Sequence, residues 1–165
     1  MNENLILKVT QFLAKEALAL DMKQWEDWLA LLSPDVVFWM PAWKNETERS
    51  QDPEAEISLF YFDSRHALED RVWRLNQQKS IASMPLLRTT HVTSNVLVGP
   101  VSDDSVEVRS SWVCYAFNPK RKVSSTFFGR SKYEILTSGE QWLIQRKKII
   151  LMNDYIPTMM DFYCC

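Results

Sequence analysis

The chain has 165 residues, with 19 basic and 21 acidic side chains, a net charge of −2 and an apolar fraction of 46%. That length suits one domain, which buries roughly 70% of the extended chain's surface on folding. The charge argues against a nucleic-acid binder, and no apolar run approaches the roughly eighteen residues a membrane-spanning helix needs.

The amino terminus lacks a signal-peptide pattern. Cys114, Cys164 and Cys165 are the only cysteines. An odd count with two adjacent at the end does not make a disulfide framework, so a reducing cytoplasm is the expected location. A frayed tail would hold Cys164 and Cys165 poorly as metal ligands. Trp25, Trp28, Trp39, Trp43, Trp73, Trp112 and Trp142 fill a large core or, in part, anchor an interface.

Leu5, Val9, Phe12, Leu13, Ala17 and Leu20 recur at helical spacing and predict a first helix. Asp21 and Gln24 read as a capping box for a second. Trp25, Trp28, Leu29 and Leu32 form its apolar stripe, and Pro34 is expected to stop it. Val36 to Met40 reads as a short strand closed by Pro41. Lys44 to Pro53 is polar and aperiodic, an exposed loop. Ile57 to Phe62 is apolar but periodicity does not assign it. Asp63 or Ser64 caps a third helix carrying Ala67, Leu68, Val72 and Leu75, with Asp70 one turn from Arg74. Ser80 to Leu87 reads as loop.

From about Thr89 to Asn153 the pattern is four long strands: His91–Val98, Val106–Phe117, Val123–Leu136 and Trp142–Met152. The turns between them are 101–104, 118–121 and 137–140, each built on Gly, Pro, Asn or Asp. In the second strand Val106, Val108, Trp112 and Cys114 share one face, and Val113, Tyr115 and Phe117 the other. Apolar groups on both faces predict a sheet covered on both sides over part of its length. Gly129 is where a bend or bulge costs least. The basic run Arg146-Lys147-Lys148 alternates between faces and makes no single patch. With Arg130, Lys132 and Lys120 to Lys122 it leaves room for an anionic partner surface. The expected fold is a single α+β domain over 1–165. Helices lie within about 1–80 and close one face of a long, curved antiparallel meander at about 89–153, leaving a conical cavity.

Chemistry-bearing residues are few. His66 and His91 lie in different elements, with no second histidine or carboxylate at a metal-ligand spacing, so neither a metal nor an iron–sulfur site is expected. A cavity lyase or isomerase would use His91 as general base with Asp63, Tyr61 or Tyr115. The plainer reading makes His91 a hydrogen-bonded structural group. Arg65, Arg71, Arg74 and Arg88 read as fixed hydrogen-bonding forks. With the aromatics from Phe38 to Trp43 they suggest an assembly surface.

Several blocks resemble the small (beta) subunit of aromatic-ring-hydroxylating dioxygenases. They are Trp28-Leu29-Ala30-Leu31, Ser33-Pro34-Asp35, Phe38 through Trp43, Asp52-Pro53, Glu56 to Leu59, and Leu68-Glu69-Asp70-Arg71-Val72. The series continues with Arg88-Thr89, His91, Ser94-Asn95-Val96, Phe127-Phe128-Gly129-Arg130 with Tyr133, Arg146 to Ile149, and Asn153-Asp154-Tyr155. The resemblance implies a cone-shaped roll of the nuclear-transport-factor-2-like (NTF2-like) or cystatin-like type. It implies a larger alpha subunit, commonly three of each, that carries a Rieske [2Fe-2S] cluster and a mononuclear Fe(II). Electrons would come from NAD(P)H through a reductase, sometimes with a ferredoxin. Trp-Met-Pro-Ala-Trp and Leu-Glu-Asp-Arg-Val look most like the branch acting on benzoate, anthranilate or related aromatic carboxylates. The small subunit would bear no catalytic, cofactor or metal residue of its own. Its interface candidates are Trp39, Trp43, Arg71, Arg74, Arg88 and Arg130.

Overall fold

In the computed structural model, residues 3–77, 85–156 and 160–165 are described. Three helices, α1 (Glu3–Asp21), α2 (Trp25–Leu29) and α3 (Arg65–Asn76), pack on one face of a six-stranded sheet. Its strands are β1 (Leu32–Pro41), β2 (Ser58–Phe62), β3 (Arg88–Val101), β4 (Ser105–Asn118), β5 (Val123–Leu136) and β6 (Leu143–Leu151), in the order β2-β1-β6-β5-β4-β3. Expected loop residues 80–84 lie outside the described residues.

The sheet is mixed, which corrects the expectation of a purely antiparallel one: β1 runs parallel to β6, and all other neighbours are antiparallel. A parallel pair needs a long crossover, and here α3 and the β3–β5 meander supply it. Nothing local in either strand records a pairing partner so distant in the chain. The apolar run from Ile57 to Phe62, which periodicity does not assign, supplies β2 from Ser58 onward, the edge strand beyond β1.

α1 buries Val9, Leu13, Glu16, Ala19 and Leu20. It ends with Lys23 in the left-handed region, φ 57. There the Gln24 N–H donates to the Ala19 carbonyl at 2.9 Å and the Lys23 N–H to that of Leu20 at 3.2 Å. These bonds satisfy carbonyls that the helix end would otherwise leave free. The expected capping box does not form. Gln24 precedes α2 without a side-chain bond, and Asp21 is engaged elsewhere.

Helix α2 is also shorter than its apolar stripe implied. Leu32 begins β1, because the Leu31 carbonyl already accepts the Ile144 N–H at 2.7 Å. Pro34 therefore lies within a strand instead of stopping a helix. The β1–β6 register slips between Leu32 and Val37, so its missing N–H falls at an irregularity. At α3 the Ser64 side chain accepts the Ala67 N–H, as a capping residue does. Arg65 pairs with Glu69 at 3.1 Å, while Asp70 and Arg74 form no such pair.

Gly129 marks a close approach, not a bulge. A Cβ there would sit 1.9 Å from the Ile150 carbonyl oxygen and 3.2 Å from the Trp112 ring. The β4–β5 register runs through it unbroken, and the β5–β6 irregularity falls at Glu134/Ile135. The outer face also departs from expectation. Val92, Leu97, Tyr115 and Phe128 are exposed there, so the described residues cover the sheet on one side only.

The last segment corrects two expectations at once. Met160 to Cys165 is not a frayed tail but part of the core, in the space expected as a conical cavity. The Phe162 ring stacks on Trp28 at 4.9 Å and meets Trp25 edge-on at 5.6 Å. Tyr163 Oη accepts the Leu87 N–H at 3.2 Å. Each such buried aromatic contributes about 2 kcal/mol relative to exposure, enough to hold a short segment in place.

Candidate functional site

His91 and Asp21 form the one histidine–carboxylate contact among the buried described residues. His91 lies on the inner face of β3, and Asp21 ends α1. The ring Nδ1–H donates to Asp21 Oδ1 at 2.6 Å and the His91 backbone N–H to Oδ2 at 2.9 Å. Burial opposes ionisation of Asp21, but these two donors outweigh it and hold its carboxyl below the usual range. His91 Nε2 is buried with no hydrogen-bond partner among the described residues.

The partners foreseen for a catalytic His91 are elsewhere. Tyr115 points outward and is 56% exposed, Tyr61 lies opposite Trp39 on the edge strand, and Asp63 precedes α3. The dyad borders a cavity of about 210 Å³ with Thr10, Ala14 and Thr93. The two bonds to Asp21 make His91 a hydrogen-bonded group between α1 and β3, and no second acid or base is among the described residues lining the cavity.

A second buried polar cluster links helix, sheet and last segment. Lys147 Nζ donates to Glu16 Oε1 at 2.8 Å and to the Cys165 carbonyl at 3.2 Å, and Tyr133 Oη donates to Glu16 Oε2 at 3.1 Å. Burial opposes the charge on Lys147, but the adjacent Glu16 carboxylate prevails and raises its pKa above the ordinary lysine value. Burial, reinforced by Glu16, pushes the Tyr133 hydroxyl up as well. Both groups stay protonated at neutral pH, and the cluster ties α1 to β5 and β6.

Arg71 forks onto Asp161, Nε to Oδ1 at 3.2 Å and Nη2 to Oδ2 at 2.6 Å. Its guanidinium therefore holds the last segment to α3. Of the other interface candidates, Trp39 lies on β1 opposite Lys148 of β6, and Trp43 follows β1 and reaches the end of β6. Trp39 donates to Ser58 Oγ at 2.9 Å under the Lys148 ammonium, and Trp43 donates to the Leu151 carbonyl at 2.6 Å. Arg130 projects from the outer face of β5 and is exposed. Arg74 and Arg88 are exposed at the end of α3 and the start of β3. The structure thus brings Trp39, Trp43 and Arg130 toward one side of the sheet and sets Arg71, Arg74 and Arg88 apart from them.

The buried pairings of Glu16, Asp21, Lys147 and Asp161 were not foreseen from the sequence. A signal existed for two of them. Glu16 falls on the Val9–Leu13–Leu20 face of its helix, and Lys147 falls between the outward Arg146 and Lys148. Asp21 and Asp161 had no such signal, because their partners are 70 and 90 residues away.

Among the described residues metal chemistry finds no donor set. His66 is 81% exposed beside Glu69, His91 is committed to Asp21, and the three thiols are buried. No three His, Cys, Asp or Glu side chains among the described residues are grouped to hold an ion. Neither a Rieske cluster nor a mononuclear iron fits these residues.

Comparison with known proteins agrees with that picture. Residues 15–158 match the family model described as the ring hydroxylating beta subunit. The chain is 42% identical over 158 residues to the beta subunit of benzoate 1,2-dioxygenase from Acinetobacter baylyi, covering 96% of this chain and 92% of that one. It is 41% identical over 155 residues to the beta subunit of toluate 1,2-dioxygenase from Pseudomonas putida, covering 94% of each. The crystal structure of the benzoate 1,2-dioxygenase beta subunit from Burkholderia mallei superimposes with a TM-score of 0.80 at 36% identity, over 95% of both chains. On sequence and fold together, the chain belongs to the beta subunits of multicomponent ring-hydroxylating dioxygenases.

Proposed function

We propose that this chain is the structural half of an oxygenase that adds both atoms of dioxygen to the ring of an aromatic carboxylate of the benzoate or toluate class. The near full-length identity to subunits of enzymes named for those substrates carries the reading. A larger alpha subunit, three of each, would hold the [2Fe-2S] cluster and the mononuclear iron, the chemistry that activates dioxygen. NAD(P)H would supply electrons through a reductase, with or without a ferredoxin, in the cytoplasm. The small subunit is a cone-shaped, NTF2-like roll whose interior is filled by its own last segment.

Its task is geometric. Electron transfer between metal centres on different large subunits requires a fixed spacing, and a rigid underlying ring holds it. The Glu16–Lys147–Tyr133 cluster and the Arg71–Asp161 fork serve this by locking helices, sheet and last segment into one body. Trp39, Trp43, Arg74, Arg88 and Arg130 remain the candidate contacts with other subunits, whereas the Arg71 fork is turned onto its own chain.

The test is co-expression with the neighbouring large-subunit gene, purification through a tag on this chain, and measurement of native mass and iron. A hetero-oligomer with about three irons per large chain, two in the cluster and one alone, supports the reading. It should convert benzoate or toluate to a cis-dihydrodiol when supplied with reductant. A complex that turns over only unsubstituted arenes would overturn the carboxylate assignment. A metal-free chain that leaves the large subunit behind would overturn the whole.

A further inference from the structure

All three thiols of the chain are buried, and two of them meet. Cys114 lies on the inner face of β4, opposite His91 of β3 and Phe127 of β5, and Cys164 lies in the last segment. A series of contacts lays that segment on this part of the sheet. Lys23 Nζ donates to Thr89 Oγ1 at 2.8 Å and stands 4.3 Å from the centre of the Tyr163 ring. Thr89 pairs with Ala116, two positions from Cys114 on the same face of β4, so Tyr163 and Cys164 stand over the strand positions around Cys114. There the Cys114 S–H donates to Cys164 Sγ.

The surroundings make the two sulfurs unequal. The bond from Cys114 outweighs burial and, with the Asp161 backbone and the Lys23 ammonium, holds the Cys164 thiol below its ordinary value. That same bond, together with burial, pushes the Cys114 thiol up. Cys164 is therefore the sulfur that attacks, and Cys114 stands beside it to complete a bridge. Cys165 is not an equivalent partner. Its Sγ donates to the Phe162 carbonyl at 3.2 Å, and its own carbonyl accepts from Lys147. Adjacent residues also hold their Cα atoms about 3.8 Å apart, closer than the roughly 4.4 Å at which unstrained disulfides begin.

We propose that Cys164 and Cys114 form a redox modification site for hydrogen peroxide, whose product is a disulfide tying the last segment to β4. This inference stands independently of the beta-subunit reading. The Cys164 sulfur attacks one peroxide oxygen, the O–O bond breaks, and the other oxygen leaves with the thiol proton as water. Cys164 is then a sulfenic acid. The Cys114 sulfur attacks it, the S–O bond breaks, and the hydroxyl leaves with the Cys114 proton as a second water. Two electrons pass from the sulfur pair to the peroxide. A reducing compartment keeps the pair as thiols at rest and restores them by thiol exchange. Because both sulfurs are buried, the oxidant reaches them when the last segment opens, and the Arg71–Asp161 fork opposes that opening.

The test exposes the reduced full-length chain to hydrogen peroxide, alkylates the remaining thiols and maps peptides before and after a dithiol reductant. A reducible link between the peptides carrying Cys114 and Cys164 is expected, formed several-fold faster in Arg71→Ala. Trypsin leaves Cys164 and Cys165 in one peptide, so fragmentation and variants assign the bridge. Cys165→Ala should keep the link and Cys164→Ala should lose it. Cys114→Ala should stop at a sulfenic acid that a cyclic diketone labels. The oxidised wild type should gain about 5–10 °C in Tm over the reduced protein. A link that uses Cys165, or one that lowers Tm, overturns the proposal. So does a wild type that stays reduced in peroxide while the same chain oxidises in urea. The wild-type map and Tm decide the matter even where a substitution prevents folding.

Discussion

Glu16 and Lys147 lie 131 residues apart in sequence and meet at 2.8 Å with 3% of each side chain exposed. Two opposite charges taken out of water together are tolerable; one alone is not. Lys147→Met should therefore cost about 3–5 kcal/mol by leaving Glu16 buried without its cation. Glu16→Met with Lys147→Met should recover most of that loss, less about 1–3 kcal/mol for the Tyr133 hydroxyl left without its acceptor. Urea unfolding of the single and double variants measures both. A double variant no better than Lys147→Met would mean the pair does not act as a unit.

The same cluster sets a pH dependence. Lys147 and Tyr133 have ordinary values of 10.5 and 10.0, and both are raised in the folded chain. Above pH 10.0 the unfolded chain releases these protons while the folded chain keeps them. The unfolded state then binds fewer protons, so stability falls as pH rises. The contribution is complete at neutral pH and is lost progressively on the alkaline side. Unfolding free energy followed upward from neutral pH should fall, and the Glu16→Met, Lys147→Met double variant should show a shallower decline.

Arg71 predicts the behaviour of the last segment. Arg71→Ala leaves Asp161, whose side chain is 3% exposed, without the guanidinium fork, at a cost of about 3 kcal/mol. Cys164 and Cys165 should then react with a thiol reagent faster than in the wild type, where all three thiols are buried. Labelling of the folded protein mapped by mass spectrometry decides this. Equal rates in both proteins would show that Arg71 does not hold the segment.

Gly129 allows a fourth test. An added methyl would overlap the Ile150 carbonyl oxygen, which belongs to a sheet hydrogen-bonding partner and has little freedom to shift. Gly129→Ala should lose about 3 kcal/mol or more, about 10 °C in Tm for a domain of this size. Gly99→Ala, with its nearest atoms at 3.5 Å, is the control and should change little.

Strand content, the outward and inward faces of β4, the three turns of the meander and the Ser64 cap were legible because each depends on residues within a few positions. Alternation placed Arg146 and Lys148 on one face and Lys147 on the other from local pattern alone. The blocks from Trp28 to Tyr155 carried the family for the same reason, since they are short words read in order. The interface candidates were drawn by residue type, and type does not reveal that the Arg71 fork is turned inward to Asp161 while Arg130 projects outward.

By itself the sequence determined most of the elements, the faces of β4 and β6 and the family, all consequences of short-range pattern and residue chemistry. Tertiary structure alone decided that β1 runs parallel to β6, that Asp21 serves His91 instead of a helix cap, and that Phe162 to Cys165 fill the core. Each of these is a contact between residues far apart in the chain. Its free energy comes from burial and pairing that exist only once the chain has closed on itself, so no local pattern in the sequence records it.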